Sequence, residues 1–182
     1  MAKVALFLIE GFEETEALTT VDILRRGELN VTTTSLTGDL TVKGKHGVQV
    51  VSDALFDDVK GKNFDMLVIP GGTTAYMDHE GLLELVRRYD AEKKPLGAIC
   101  AAPAVFGKAG ILKGRRAVCY PSMESYLTDA VVGTENVETD GHITTAKGPA
   151  ITPFFALRLL KVLKGEETAK SVAGDFLIPL IS

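Results

Sequence analysis

The residues best equipped for chemistry in this chain stand at the ends of apolar runs. Pro95-Leu96-Gly97-Ala98-Ile99-Cys100-Ala101-Ala102-Pro103 ends an apolar run on a thiol and crowds it with residues almost without side chains. A cysteine in such a stretch often serves as a small buried hydrophobe. A nucleophile on a sharp strand-to-helix turn asks for more. Its neighbours two positions before and after must be small, because the backbone passes close to itself there. Elbows of the G-x-S-x-G type meet that need with glycine, and Ala98 and Ala102 meet it here with alanine. A helix beginning at Ala101 would favour negative charge at its first turn, and so thiolate over thiol.

Other reactive groups follow other apolar runs. Glu10-Gly11-Phe12-Glu13-Glu14-Thr15-Glu16 brings carboxyl groups to a helix start. Glu13 and Glu14 read as complements to the helix dipole. Glu16 lies a turn further in, where an inward-pointing carboxyl could reach a cleft and move a proton. Pro70-Gly71-Gly72 either terminates a strand or brings its backbone against an anion, the amides of Gly72 and Ala101 forming a pocket beside the sulfur. Cys119-Tyr120-Pro121 adds a second thiol and a phenol. Cys119 reads as a plain strand residue or as a resolving thiol for Cys100. Tyr120 reads as a packed aromatic or as a hydrogen-bond donor in the cleft.

The elements that must position these groups alternate along the chain. Lys3 to Ile9, Leu29 to Leu36, Phe64 to Ile69, Leu96 to Ile99 and Arg116 to Cys119 read as strands. Glu13 to Arg26, stopped by Gly27, reads as a helix, with Ala17, Leu18, Val21 and Leu24 at helical spacing. Helices are also expected over Asp53 to Val59, Glu80 to Lys93, Ala101 to Lys108, Ser122 to Thr128, Ile151 to Leu163 and Glu167 to Ala173. Leu40 to Val42 and Val48 to Val51 form a short antiparallel pair. Asn136 to Ala146 forms a hairpin, with Asp140-Gly141 as a type I′ signal. Apolar strands alternating with helices imply βαβ units. The expected fold is a flavodoxin-like, doubly wound α/β sandwich of three layers around a mostly parallel sheet. In such sheets, ligands bind beyond the carboxyl ends of the strands, which is where the thiol, the carboxyl groups, the Gly-Gly turn and the phenol all fall.

Bulk properties exclude other classes. A chain of 182 residues with a net charge of -4 suits one domain, residues 1–182, with no specific nucleic-acid partner. No apolar run approaches the roughly 18 residues that span a bilayer, and the N-terminal residues lack the pattern of a signal peptide. Two cysteines give no disulfide framework, which points to a reducing cytoplasm. Three scattered histidines (His46, His79, His142) add no metal-ligand spacing, so no metal is expected.

The ordered set EGFEETEA, VIPGGT, GAICAAPAV and TTAKGPA resembles the ThiJ/PfpI superfamily, in the branch that includes the parkinsonism-associated protein DJ-one and its bacterial relatives. The likeness runs from about Val4 to about Leu163. The resemblance implies a homodimer with a reactive cysteine at the elbow, matched by Cys100. It also implies a protonated carboxyl bonded to the thiolate, matched by Glu16, and a glycine amide facing the sulfur, matched by Gly72. It implies small carbonyl substrates, handled without a cofactor in glyoxalase-type or deglycation chemistry. The alternatives are an oxidant-sensing role for Cys100 and a peptidase or amidohydrolase of the wider superfamily. One position departs: many relatives of this branch carry histidine where this chain has Tyr120, and a phenol is a poor base near neutral pH.

Overall fold

Apolar runs bounded by turn residues become strands buried on both faces. The computed structural model describes residues 1–178. Its elements run β1 (Lys3–Leu8), α1 (Glu14–Arg26), β2 (Asn30–Ser35), β3 (Thr41–Lys43), β4 (Gln49–Val51), β5 (Ala54–Leu55), α2 (Phe56–Val59), β6 (Met66–Ile69), α3 (Glu80–Ala91), β7 (Leu96–Ile99), α4 (Pro103–Ala109), β8 (Arg116–Ala117), β9 (Val131–Val132), β10 (Val137–Asp140), β11 (Ile143–Ala146), α5 (Thr152–Lys164) and α6 (Glu166–Asp175). Seven strands form the central sheet in the order β10-β11-β7-β6-β1-β2-β5. Every neighbouring pair is parallel except β10 with β11.

Helices flank this sheet on both faces. α1 packs on α5, α5 on α6, and α3 on α4, while α5 and α3 both reach β7. All four residues of each of β6, β7 and β11 are buried, as expected for a parallel sheet under helices. The fold is therefore mixed α/β with a mostly parallel sheet between helices, as expected from the alternation.

The strand order places the site. From β1 the chain moves outward to β2 in one direction, and later through β6, β7 and β11 in the other. The reversal lies between β1 and β6, and a crevice opens at their carboxyl ends. The loops after β1, β6, β7 and β11 all lead there.

Several local expectations need correction. The strand from Arg116 ends at Ala117 and pairs only with β9, in a ribbon apart from the main sheet, so Cys119 is not a strand residue. Val118 instead gives its amide to the Thr145 hydroxyl at 2.9 Å. The helix expected from Ala101 starts at Pro103, which suits a first turn because it has no amide to leave unpaired. Asp53 to Val59 divides into β5 and α2, and Ser122 to Thr128 holds only a 3₁₀ turn at Glu124–Tyr126. The β10–β11 turn is not type I′: Gly141 alone takes positive φ, at 60°, and His142 does not. Leu18 is half-exposed on α1, whose buried face is instead Ala17, Thr20, Val21, Ile23 and Leu24. Among the described residues, no helix is long and apolar enough to cross a membrane.

Candidate functional site

Cys100 sits one residue beyond β7 with φ of 65°, a left-handed conformation that is uncommon for a residue with a side chain. Two backbone bonds hold it there. Its amide donates to the Ala146 carbonyl at 2.9 Å, and its carbonyl accepts from the Tyr120 amide at 2.8 Å. The strained turn is thus fixed from β11 on one side and the 118–121 segment on the other.

Glu16 lies on the inner face of α1, fully buried. Its Oε2 accepts the Gly71 amide at 2.7 Å, while the buried Oε1 makes no hydrogen bond of normal geometry. The Cys100 thiol stands close enough to the carboxyl for each to shift the other's titration. The two glycines permit this approach. A Cβ on Gly71 would come within 2.7 Å of Cys100 Cβ and 2.8 Å of Glu16 Oε2. A Cβ on Gly72 would overlap the Glu13 amide nitrogen, and Gly72 has φ of 95°. The Gly-Gly pair therefore does more than end a strand.

Burial pushes the Glu16 carboxyl up to about 7, against the Gly71 amide that lowers it; the Glu13 charge raises it further and Lys45 lowers it. Burial also pushes the Cys100 thiol up to about 12, helped by the Glu16 charge, while the amides of Gly72 and Ala101 pull it down. The amides of Gly72 and Ala101 thus favour the thiolate, as the sequence implies, without setting the balance. The helix starts three residues later than the sulfur, and burial beside a carboxylate outweighs two amides. Burial leads both upward shifts; the Glu16 charge adds to that of the thiol, whereas the thiol's hydrogen bond lowers the carboxyl. A protonated Glu16 would remove the repulsion and leave the sulfur among three donors.

The cleft above Cys100 has a volume of about 740 Å³. Its wall includes Gly72, Cys100, Ala101 and Tyr120, together with Glu13, Lys45 and His46. Tyr120 is half-exposed rather than packed away, its ring lying over Gly148. Gly71 is not on the wall, since its amide is taken up by Glu16. Cys119 is buried off the cleft, pushed up to about 11 by burial and then by Glu124.

What sequence reasoning missed is a tie between α1 and the β3–β4 hairpin. Glu14, a dipole complement by sequence, is buried and ties the hairpin tip to α1. Its Oε1 accepts the amides of His46 at 2.8 Å and Val48 at 3.3 Å, and its Oε2 meets His46 Nδ1 at 3.0 Å. Burial would raise the Glu14 carboxyl, but these bonds and its own amide hold it below its ordinary value. Glu13, Glu14 and His46 place three ligand-type atoms within 4.8 Å of one another. Distance alone would suit a cation, but both Glu14 oxygens are already hydrogen-bonded, so the group is a carboxylate–imidazole couple. An E-E-x-E stretch at the α1 start and a Lys-His turn were the available signals; nothing in their spacing joined them.

The DJ-1/PfpI family model matches residues 2–162. The chain belongs to this family. Protein DJ-1 homolog B of Arabidopsis thaliana is 35% identical over 97% of the chain, which spans only 41% of that relative's length. The glutathione-independent glyoxalase DJR-1.2 of Caenorhabditis elegans is 32% identical over 93% of this chain and 94% of its own. Deglycase PH1704 of Pyrococcus horikoshii is 33% identical over 68% of this chain and 77% of its own. Among solved structures, oxidized DJ-1 of Toxoplasma gondii superposes with a TM-score of 0.94 at 32% identity, covering 97% of this chain and 98% of its own. DJ-1beta of Drosophila melanogaster gives 0.92 at 32% identity, with 97% of each chain covered.

Proposed function

We propose that the protein is a cysteine-dependent enzyme that needs no cofactor and acts on small reactive aldehydes, converting methylglyoxal to lactate or removing early glycation adducts. One observation carries this reading: a thiol on a strained elbow, beside a buried carboxyl with pKa about 7 and two backbone amides, at the floor of an open cleft. A glyoxalase and a deglycase among the relatives support the substrate class. Two free cysteines suit a cytoplasmic setting.

The chemistry closes without an added oxidant or reductant. The Cys100 sulfur bonds to the aldehyde carbon, and a proton reaches the aldehyde oxygen, giving a hemithioacetal. Glu16 moves a proton from that carbon to the neighbouring one by way of an enediol, so the first carbon is oxidised and the second reduced. Water then breaks the resulting thioester into lactate and free thiol. The Gly72 and Ala101 amides stabilise the charged sulfur.

The test is lactate formation from methylglyoxal without glutathione, for the wild type and Cys100→Ser side by side. The wild type is expected to turn over within about tenfold of 1 s⁻¹, and the serine variant to be inactive. A folded wild type whose thiol alkylates but which makes no lactate would end the glyoxalase reading.

A second reading has its own support. The same donors would hold a cysteine sulfenate or sulfinate, formed as peroxide gives oxygen to the sulfur and leaves as water. Intact-mass measurement after mild peroxide tests it: Cys100 should gain oxygen, and a folded protein that gains none ends it. A peptidase is not favoured, because no histidine hydrogen-bonds to Cys100 among the described residues.

A further inference from the structure

The glyoxalase reading leaves one step without an agent. Hydrolysis of the thioester needs a base that meets water in the cleft. Glu16 is fully buried and holds the Gly71 amide; in the enzyme reading it serves the carbon bonded to Cys100, but its burial closes it to water. Tyr120 lines the cleft, but a phenol accepts protons poorly near neutral pH.

His46 lines the same cleft as Cys100. Its ring is 65% exposed and so open to water. Glu14 holds that ring. The carboxylate is kept ionised by amides from its own backbone, His46 and Val48, so it can only accept from Nδ1. The hydrogen on Nδ1 is thereby fixed, and the lone pair is left on Nε2. This is the logic by which a buried carboxylate sets the tautomer of a catalytic histidine. The hairpin tip is itself pinned, by the Lys45 amide on the Phe12 carbonyl at 2.8 Å and the Gly11 amide on the Lys43 carbonyl at 2.9 Å. Glu13, 3.7 Å from Nδ1, and Lys45 are the other charged groups facing the cleft here.

We infer that His46, oriented by Glu14, is the general base that brings water to the acylated Cys100. This rests on the enzyme reading above. Nε2 takes a proton from water as its oxygen bonds to the thioester carbon. The carbon–sulfur bond breaks, lactate leaves, and the imidazolium returns its proton to the thiolate. The cleft of about 740 Å³ has room for a three-carbon acyl group with water beside it.

The experiment combines rapid-quench kinetics with methylglyoxal and intact mass at steady state, on wild type, His46→Gln, Glu14→Gln and Glu13→Gln. In His46→Gln, steady-state turnover should fall about 100-fold or more. The first turnover and the iodoacetamide alkylation rate of the free enzyme should not change. A hydroxylamine-sensitive lactoyl adduct should then accumulate on Cys100, and added imidazole should restore part of the rate. Glu14→Gln should show a smaller loss of the same kind. Wild-type turnover in His46→Gln would overturn the inference, as would a loss with slowed alkylation and no adduct. Adduct accumulation in Glu13→Gln but not in His46→Gln would move the base to Glu13 and overturn it too. A wild type that makes no lactate ends the enzyme reading and this inference with it; an active wild type with an equally active His46→Gln ends only the inference.

Discussion

Cys100 and Glu16 titrate as a pair, and stability follows from that. The Glu16 carboxyl moves from 4.5 to about 7 in the folded protein, chiefly through burial. A raised carboxyl pKa means that the folded state binds a proton the unfolded chain has already lost. Between these pH values, stability therefore falls as pH rises. A rise from 4.5 to about 7 corresponds to about 3 kcal/mol at the upper end. Glutamine at this position can accept the Gly71 amide and never ionises. Glu16→Gln should accordingly be more stable than wild type by about 3 kcal/mol in urea unfolding at about pH 8, with the gap closing near pH 5. Equal stabilities at both pH values would mean that the carboxyl is not held in a raised state. Cys100 and Gly72 were legible because each ends an apolar run, and strand ends of this fold face one crevice. The couple of Glu14 and His46 was not legible. It joins residues 32 positions apart through a hairpin tip whose docking depends on backbone amides that any residue could supply.

The main strands and the long helices were legible because their apolar patterns are long and bounded by Gly and Pro. The short pieces were not. β5, β8 and β9 have two residues each, too few to show a period. The late start of α4 turns on the left-handed turn at Cys100, which no local propensity announces. α4 also shows how an element holds the site. Gly107, on its buried face, packs so closely on the 3₁₀ turn that an added Cβ would overlap the Tyr126 carbonyl oxygen and come within 3.0 Å of the Thr128 amide nitrogen. Backbone cannot yield there as a flexible side chain can. Gly107→Ala should cost about 1–3 kcal/mol through overpacking. It should also displace the segment carrying Tyr120, Ser122 and Met123 on the cleft wall. Thermal unfolding would show the lowered midpoint. An unchanged midpoint would mean that the turn is loosely seated.

Association belongs to the whole molecule, and the family likeness makes a homodimer the expectation. The surface beside the cleft offers a place for it. Leu18 follows Glu14 by one helical turn, and Glu14 holds the Val48 amide, so exposed apolar side chains stand on both of the elements that Glu14 joins. Val51, on the same hairpin, is 70% exposed. Covering such a patch removes apolar area from water. It would also seat the hairpin that carries Lys45 and His46. Sedimentation equilibrium should therefore give twice the chain mass of 19.5 kDa. Leu18→Glu with Val51→Lys should shift the protein toward monomer. A wild-type monomer would remove the expectation, and a dimer indifferent to both substitutions would put the interface elsewhere. If the hairpin is seated by association, turnover per subunit should fall on dilution in step with the dimer fraction. Turnover independent of concentration through the dissociation range would show that each subunit holds its own cleft complete, with Glu14 alone keeping His46 in place.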